Sequence, residues 1–141
     1  MISRTPRAEK DQTAADLEAH LLADLAQINV QSHNESIVLE RRDPAGVLIA
    51  GLTADTSYGW VLIKIIWVAQ HYRGQGLGRD LMRSAEEHAR ALGCHAAWLE
   101  TSNPAAPAFY QSLGYSEFGL LENAPDQTPE DHKRWFMRKT L

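Results

Sequence analysis

The residues best suited to chemistry lie in the stretch Arg73–Gly78, which places three glycines within five positions of the sequence RGQGLG. Glycine lets the backbone approach an anion closely, and the arginine adds a permanent positive charge. If a helix follows, its first N–H groups have no intrahelical partner and favour a phosphate. Because Gly78 is followed by Arg79-Asp80, the stretch is neither a P-loop nor the three-glycine dinucleotide fingerprint. A different phosphate-bearing ligand is therefore predicted.

The flanking sequence supplies a strand and a helix on either side of this loop. Trp60 to Ala69 holds one charge, Lys64, among ten residues rich in Val and Ile. That composition predicts a central strand covered on both faces. After the loop, helical spacing predicts an amphipathic helix with an inward face at Leu77, Leu81, Ala85, His88 and Leu92. Gly93 is typical of a residue that ends a helix.

A second segment, Asn103–Tyr115, contains Tyr110 and ends in Leu-Gly-Tyr. Together with the glycine loop it resembles the GNAT superfamily of acyl-CoA-dependent N-acetyltransferases. The residues that fit the family's loop pattern, Arg/Gln-x-x-Gly-x-Gly/Ala, are Arg73, Gly76 and Gly78. The resemblance covers Val47 to Tyr115 and extends more loosely to the strand-like stretch 134–139.

This resemblance implies an α+β fold with a central mixed, mainly antiparallel sheet flanked by helices. In such a fold, pantetheine enters between two splayed strands, here Ile65–Ala69 and Trp98–Thr101. Acetyl-CoA is the implied co-substrate. The residues expected to contact it are Trp67, Val68, Ala69, Arg73, Gly74, Gln75, Gly76, Leu77, Gly78, Arg79, Asn103 and Tyr110.

Acetyl transfer requires a base for the amine and an acid for the departing thiolate. The resemblance implies that Tyr110 is the acid, although a buried tyrosine can also serve packing alone. Glu100, near the end of a predicted strand, is the candidate base. An equally weighted alternative is that Glu100 is only a solvent-exposed carboxylate at the end of that strand. Asn103 is either a CoA contact or simply a helix cap. His71 is interpreted as a residue of the turn.

The remaining sequence predicts elements that complete the sheet. Thr13–Asn29 is predicted to be an amphipathic helix that covers a sheet or borders the acceptor cleft. Residues 1–11 are expected to be flexible or to form a short strand. Predicted strands are 36–42, 47–53, 95–101, 115–122 and 132–139, the last two forming a hairpin. A helix is predicted before Gly114, with its start left open between Pro104 and Pro107.

Composition limits the class of protein. The 141 residues are 44% hydrophobic, which predicts one domain over residues 1–141. A net charge of −4 argues against nucleic acid as a partner and slightly favours a cationic amine acceptor. The single cysteine, Cys94, and the lack of an apolar run of ~20 residues predict a cytoplasmic protein without a membrane span. No histidines show the paired spacing of metal ligands, so no metal is expected.

The predicted function is direct acetyl transfer from acetyl-CoA to a primary amine of a small or peptidic acceptor, with a homodimer left open. The alternative is a non-catalytic acyl-CoA sensor, against which Tyr110 argues. A nucleic-acid binder that uses Arg73, Arg79 and Arg83 is disfavoured by the overall charge and by the neighbouring acidic residues of the same helix.

Overall fold

The structure is a computed structural model that describes residues 1–28 and 34–141. Residue contacts divide the chain into two compact units, Met1–Gln31 and Ser32–Leu141. No helix in the described ranges is long and apolar enough to cross a membrane.

The first unit contains one long helix. A 3-10 turn, Arg7–Glu9, leads into α1, Lys10–Ile28. The helix begins before the predicted Thr13, inside the segment 1–11 for which the sequence predicts flexible chain or a short strand. The predicted end, Asn29, lies outside the described residues. None of the residues of α1 is buried.

The second unit is built on a six-stranded sheet with the order β1-β2-β3-β4-β6-β5. Its strands are β1 Ser36–Arg42, β2 Leu48–Ser57, β3 Trp60–Val68, β4 Ala96–Thr101, β5 Ser116–Glu122 and β6 Lys133–Thr140. β3 and β4 are parallel, whereas the other neighbouring pairs are antiparallel. The predicted mixed, mainly antiparallel sheet is therefore confirmed. The predicted final hairpin also forms, and β6 inserts between β4 and β5.

Two helices of this unit, α2 Leu77–Ala91 and α3 Ala106–Ser112, pack on one side of the sheet. We call this side the helix face. Its core joins β-strand side chains such as Leu52 and Leu99 to Met82 of α2, all at most 1% exposed. His88 does not belong to that core, contrary to the predicted inward face, because its ring is exposed and bonds to the helix backbone.

We call the opposite side of the sheet the far face. Strand alternation together with the observed register places on it Ile65, Trp67, Trp98, Glu100, Arg134, Phe136 and Arg138. Ile65 and Trp67 are 59% and 44% exposed. The prediction that the central strand is covered on both faces is therefore wrong for the second half of β3.

Two irregularities lie at the centre of the sheet. One is a β-bulge in β3, and the other is the point where β3 and β4 separate, which we call the split. Thr53 pairs with Ile65 and Ala54 with Ile63, so Lys64 is an extra residue in β3. The parallel pairing of β3 with β4 ends at the pair Ile63 and Leu99. Both strands continue beyond this point, to Val68 and Thr101. The predicted splay is confirmed from Ile65 onward in β3 and for Glu100 and Thr101 in β4, whereas Trp98 and Leu99, which the prediction included, still pair with β3.

Candidate active site

The glycine loop connects β3 to α2 and presents backbone N–H groups. Gly74 and Gly76 have φ angles of 76° and 84°, in the left-handed region that glycine adopts without steric cost. Gly76 is the N-cap residue of α2. The N–H groups of the first helical turn have no intrahelical acceptor, so they are available to an anion.

Arg73 closes the loop against the strand. Its Nε donates a hydrogen bond to the carbonyl oxygen of Val68 at 2.9 Å. The guanidinium therefore ties the end of β3 to the start of the loop while its charge stays at the surface. Arg79, in the first turn of α2, is also exposed, and its Nη2 lies 3.4 Å from the hydroxyl oxygen of Ser112. Two cations thus flank the glycines.

The loop borders a cavity of about 680 Å³ that reaches the split between β3 and β4. Ten of the twelve predicted CoA contacts line it, namely Trp67, Val68, Arg73, Gly74, Gly76, Leu77, Gly78, Arg79, Asn103 and Tyr110. The lining residues that the sequence did not identify are Ile66, Tyr72, Thr101, Ala105, Ala106 and Phe109. Three of these six, Ile66, Tyr72 and Phe109, adjoin a predicted contact in sequence, which is the one signal that could have found them.

Ala69 and Gln75 do not line the cavity. The N–H of Ala69 donates to the carbonyl oxygen of Ile49 at 2.8 Å, which extends the β2–β3 pairing. The side chain of Gln75 turns back on the loop, where its Nε2 lies 3.4 Å from the carbonyl oxygen of His71. Local hydrogen bonding occupies polar groups of both residues.

Asn103 lies at the cavity and also orders the start of α3. Its Oδ1 accepts a hydrogen bond from the N–H of Ala105 at 3.0 Å, and its carbonyl oxygen accepts one from Ala106 at 3.0 Å. The regular helix therefore begins at Ala106, one residue before Pro107. The N-cap residue of α3 is Ala105, without a side-chain cap, so the prediction that Asn103 caps the helix is wrong; the Asn103 side chain instead orders the turn before the helix and lies at the cavity wall.

Tyr110 is 6% exposed and lines the same cavity. Its ring lies between two other aromatic rings, with centroids 5.1 Å from Phe109 and 6.0 Å from Tyr115. Burial raises the pKa of the Tyr110 phenol. The hydroxyl therefore stays protonated at neutral pH, as a proton donor must.

A buried polar cluster lies beneath Tyr110 and was not predicted. Glu86 of α2 is 4% exposed and accepts hydrogen bonds from Lys139 Nζ at 3.2 Å and from the Tyr115 hydroxyl at 3.4 Å. Burial, followed by the nearby Glu86 carboxylate, raises the pKa of Tyr115. The only feature of the sequence that could have indicated this cluster is that Glu86 is an acidic residue beside apolar positions of α2. Pairing makes the burial of this carboxylate tolerable.

Glu100 directly follows Leu99, the last residue of β4 that pairs with β3. It does not line the cavity. Its side chain points to the far face, opposite to Leu99, and is 46% exposed. The nearest cation is Arg134, whose Nη1 lies 3.9 Å from Glu100 Oε1. Tyr110 and Glu100 therefore flank the split from opposite faces of the sheet.

The described residues contain no cluster of three or more His, Cys, Asp or Glu side chains that could hold a metal ion. The chemistry available at the cavity is thus that of backbone donors, two arginines, a buried phenol and, across the split, a carboxylate. These groups suit the binding of a phosphate-bearing acyl donor and proton transfer at its reactive end.

Comparisons with known proteins agree with this geometry. The pattern of the acetyltransferase (GNAT) family matches residues 4–115. An acetyltransferase of Agrobacterium fabrum is 31% identical over 122 residues, 86% of each chain. The crystal structure of an acetyltransferase from Bacillus cereus superposes with a TM-score of 0.80 at 25% identity and covers 100% of this chain and 97% of that one.

A second solved structure is that of a streptothricin acetyltransferase from Bacillus anthracis in complex with acetyl coenzyme A. It matches with a TM-score of 0.66 at 21% identity and covers 75% of this chain and 62% of that one, which supports the fold. The match to the family pattern and the nearly full-length relative show that the chain belongs to the GNAT family of acetyltransferases, which transfer an acetyl group from acetyl-CoA to an amine.

Proposed function

We propose that the protein binds acetyl-CoA in the cavity beside the glycine loop and transfers its acetyl group directly to a primary amine of a small or peptidic acceptor. The observation that carries this proposal is the continuity of the cavity. It runs from the loop at the start of α2 to the split between β3 and β4, and Tyr110 lies in its wall. One elongated ligand with an anionic end and a reactive end fits this arrangement.

The anionic end is assigned to the loop. The backbone N–H groups at the start of α2 would hold the pyrophosphate, helped by the dipole of the helix. Gly76 and Gly78 keep the approach open because neither carries a Cβ. Arg73 and Arg79 add charge, although both are exposed, so each contributes less than the backbone donors do.

The pantetheine arm is assigned to the split. β3 pairs with β2 along its whole second half, but its other edge has no strand partner beyond Ile63. The backbone groups on that edge can therefore pair with the amides of pantetheine as they would with another strand, although the carbonyl oxygen of Val68 already accepts a hydrogen bond from Arg73. This explains why the side chains of Trp67 and Val68 need no polar atoms pointed at the cofactor.

The reactive end lies between Tyr110 and Glu100. In the proposed reaction the amine enters from the far face, loses a proton to Glu100 and attacks the thioester carbonyl. The C–S bond then breaks, and the thiolate takes a proton from the Tyr110 hydroxyl. The second proton that the nitrogen loses as it becomes an amide restores the phenol through solvent. Direct transfer is favoured over an acyl-enzyme because Cys94, the single cysteine, is buried in the core and does not line the cavity. Burial also raises the pKa of its thiol.

We also propose that residues 1–141 act as one acetyltransferase domain, that the protein is cytoplasmic and that it can form a homodimer. A buried, reduced Cys94 suits a reducing compartment. Exposed apolar side chains such as Val38 and Leu121, 71% and 55% exposed, are the kind of surface that a dimer would cover. Light scattering at several protein concentrations tests the dimer.

The direct test is a panel of primary amines incubated with acetyl-CoA while free thiol is monitored. We expect thiol release that depends on both the amine and the enzyme, together with an acceptor that gains one acetyl group by mass spectrometry. A protein that binds acetyl-CoA but releases no thiol with any amine would instead support the acyl-CoA sensor, and the proposed function would be wrong.

A further inference from the structure

A pair of opposite charges lies where an acceptor amine would approach the split. Glu100 on β4 and Arg134 on β6 are diagonal neighbours on the far face, since Glu100 pairs with Phe136, two residues beyond Arg134. Their charged atoms are 3.9 Å apart, and the side chains are 46% and 42% exposed. This separation is longer than a hydrogen bond, and both groups are open to solvent. The pair can therefore exchange partners with a ligand.

The surroundings of this pair are aromatic. Phe136 lies beside Glu100 in register and Trp98 precedes it on the same face of β4, and both are half-buried. Across the split, the far face of β3 presents Ile65 and Trp67, 59% and 44% exposed. An acceptor that places its amine at Glu100 would therefore lay the rest of its body on apolar surface.

Other charges on the far face decide what kind of amine fits. Lys64 is paired with Asp55 at 2.9 Å, and Glu40 is paired with Arg42 at 2.9 Å. Arg138 lies over the ring of Phe118 at 5.6 Å, and no carboxylate of the described residues pairs with it. Near Glu100 the surface is thus positive, although the whole chain carries a net charge of −4.

We propose that the acceptor is an amine that carries a carboxylate on the adjacent carbon and an apolar or aromatic side chain, as an α-amino acid does. This inference rests on the proposed function. Glu100 would receive the amine and its proton, Arg134 would bind the acceptor carboxylate, and Phe136 and Trp98 would contact the side chain. Arg134 is thereby a specificity-determining residue.

The physical reason is an exchange of charges. When a zwitterion binds, its ammonium replaces Arg134 as the partner of Glu100, and its carboxylate replaces Glu100 as the partner of Arg134. Neither protein charge loses its partner. An amine without a carboxylate would instead leave Arg134 unpaired beside a substrate cation, which is unfavourable. A polyamine would meet this repulsion at Arg134 and again at Arg138, so polycationic acceptors are disfavoured.

The test compares matched acceptors in the thiol-release assay: L-phenylalanine, 2-phenylethylamine, which lacks the carboxylate, and spermidine. For the wild-type enzyme we expect kcat/KM to be about tenfold or more higher for L-phenylalanine than for 2-phenylethylamine, as one charge-assisted contact at a half-exposed site allows. Spermidine should be the poorest of the three, although it offers the most amines.

Arg134→Gln should lower the ratio of kcat/KM for L-phenylalanine to kcat/KM for 2-phenylethylamine from about tenfold to about one, chiefly by raising KM for L-phenylalanine. Lys133→Gln is the matched control, because Lys133 is adjacent on β6, points to the helix face and pairs with Glu122 at 3.3 Å. It should retain the wild-type preference. Near-UV circular dichroism of both variants checks that the aromatic packing is intact.

Three outcomes would overturn the inference. They are equal or better use of 2-phenylethylamine by the wild-type enzyme, spermidine as the best acceptor, and an Arg134→Gln variant that loses activity equally with both phenyl amines. In each of these cases thiol is still released, so the proposed function stands while the assignment of the acceptor fails. Absence of release with all amines would refute the proposed function and this inference with it.

Discussion

Replacement of Gly76 by glutamate should weaken acetyl-CoA binding far more than it weakens the fold. Gly76 has a φ angle of 84°, and an added Cβ would meet no atom within 4 Å. The cost to the free protein is therefore only that of a non-glycine residue in the left-handed region, roughly 1–2 kcal/mol. The bound protein also has a carboxylate where the pyrophosphate should lie. At an effective dielectric constant of about 20–80, two unit charges about 5 Å apart repel by about 1–3 kcal/mol.

Two variants separate these effects. Gly76→Ala has the same backbone strain but no charge, so its loss of stability should equal that of Gly76→Glu while its affinity falls much less. Gly46, in the turn between β1 and β2, has the same φ angle of 84° and the same open surroundings, and it does not line the cavity. Gly46→Glu therefore reproduces both the strain and the added charge at a remote position.

The measurements are thermal unfolding of the free proteins and isothermal titration with CoA at low ionic strength. Gly76→Glu should bind CoA about 10- to 100-fold more weakly than Gly76→Ala, the equivalent of the repulsion estimated above. Added salt should narrow the difference. The assignment of the loop would be refuted if Gly76→Glu and Gly46→Glu bound CoA with equal affinity.

Three further variants test the residues around the split and beneath it. Tyr110→Phe should lower turnover by about 100-fold or more with little change in CoA affinity, and unchanged turnover would leave Tyr110 a packing residue. Glu100→Gln should lower turnover at neutral pH, and the deficit should shrink as pH rises toward the pKa of the acceptor amine, where a larger fraction of the amine is already neutral. Parallel pH profiles of the variant and the wild type would contradict this role. Folding raises the pKa of Tyr115. As pH rises, the unfolded chain therefore loses the Tyr115 proton before the folded protein does. The free energy of unfolding should then fall above about pH 10, by at most ~1.4 kcal/mol per pH unit for this group. Tyr115→Phe should make that fall shallower in urea unfolding at several pH values, and an unchanged slope would count against it.

The sequence was informative where local geometry determines the structure. The apolar run from Trp60, the glycines and the amphipathic pattern from Leu77 predict β3, the loop and α2 nearly to the residue, because each element depends on its own side chains and backbone angles. Gly93, with a φ angle of 90°, follows α2 as expected. The helix after Asn103 starts at Ala106, later than a cap at Asn103 would predict. Asn103 accepts hydrogen bonds from Ala105 and Ala106, which forms a turn before the helix. Pro104 lies in that turn, and Pro107 supplies no N–H group.

What the sequence could not supply depends on neighbours distant along the chain. Glu86 is an ordinary helix residue until β6 brings Lys139 and the turn after α3 brings Tyr115 within hydrogen-bond distance. Arg134 likewise becomes a partner of Glu100 only because β6 inserts between β4 and β5. Neither the Glu86 cluster nor the pair of Glu100 and Arg134 has a sequence motif or a regular spacing that would predict it. The sequence did mark Lys64 as an exception in an apolar strand, without showing that it forms a bulge.

That bulge determines which side chains of β3 lie on each face of the sheet near the split. The extra residue reverses the alternation of β3, so Ile66 and Val68 face the cavity side while Ile65 turns to the far face. The pairing of β3 with β4 ends at the neighbouring residue, Ile63. Strand β4 has no bulge in its pairing with β6, so Glu100 stays on the face opposite to the core. In the proposed reaction, an amine that arrives from the far face would meet the carboxylate first, whereas the thiolate that departs on the helix face would meet Tyr110. The sheet would then separate the two proposed proton transfers.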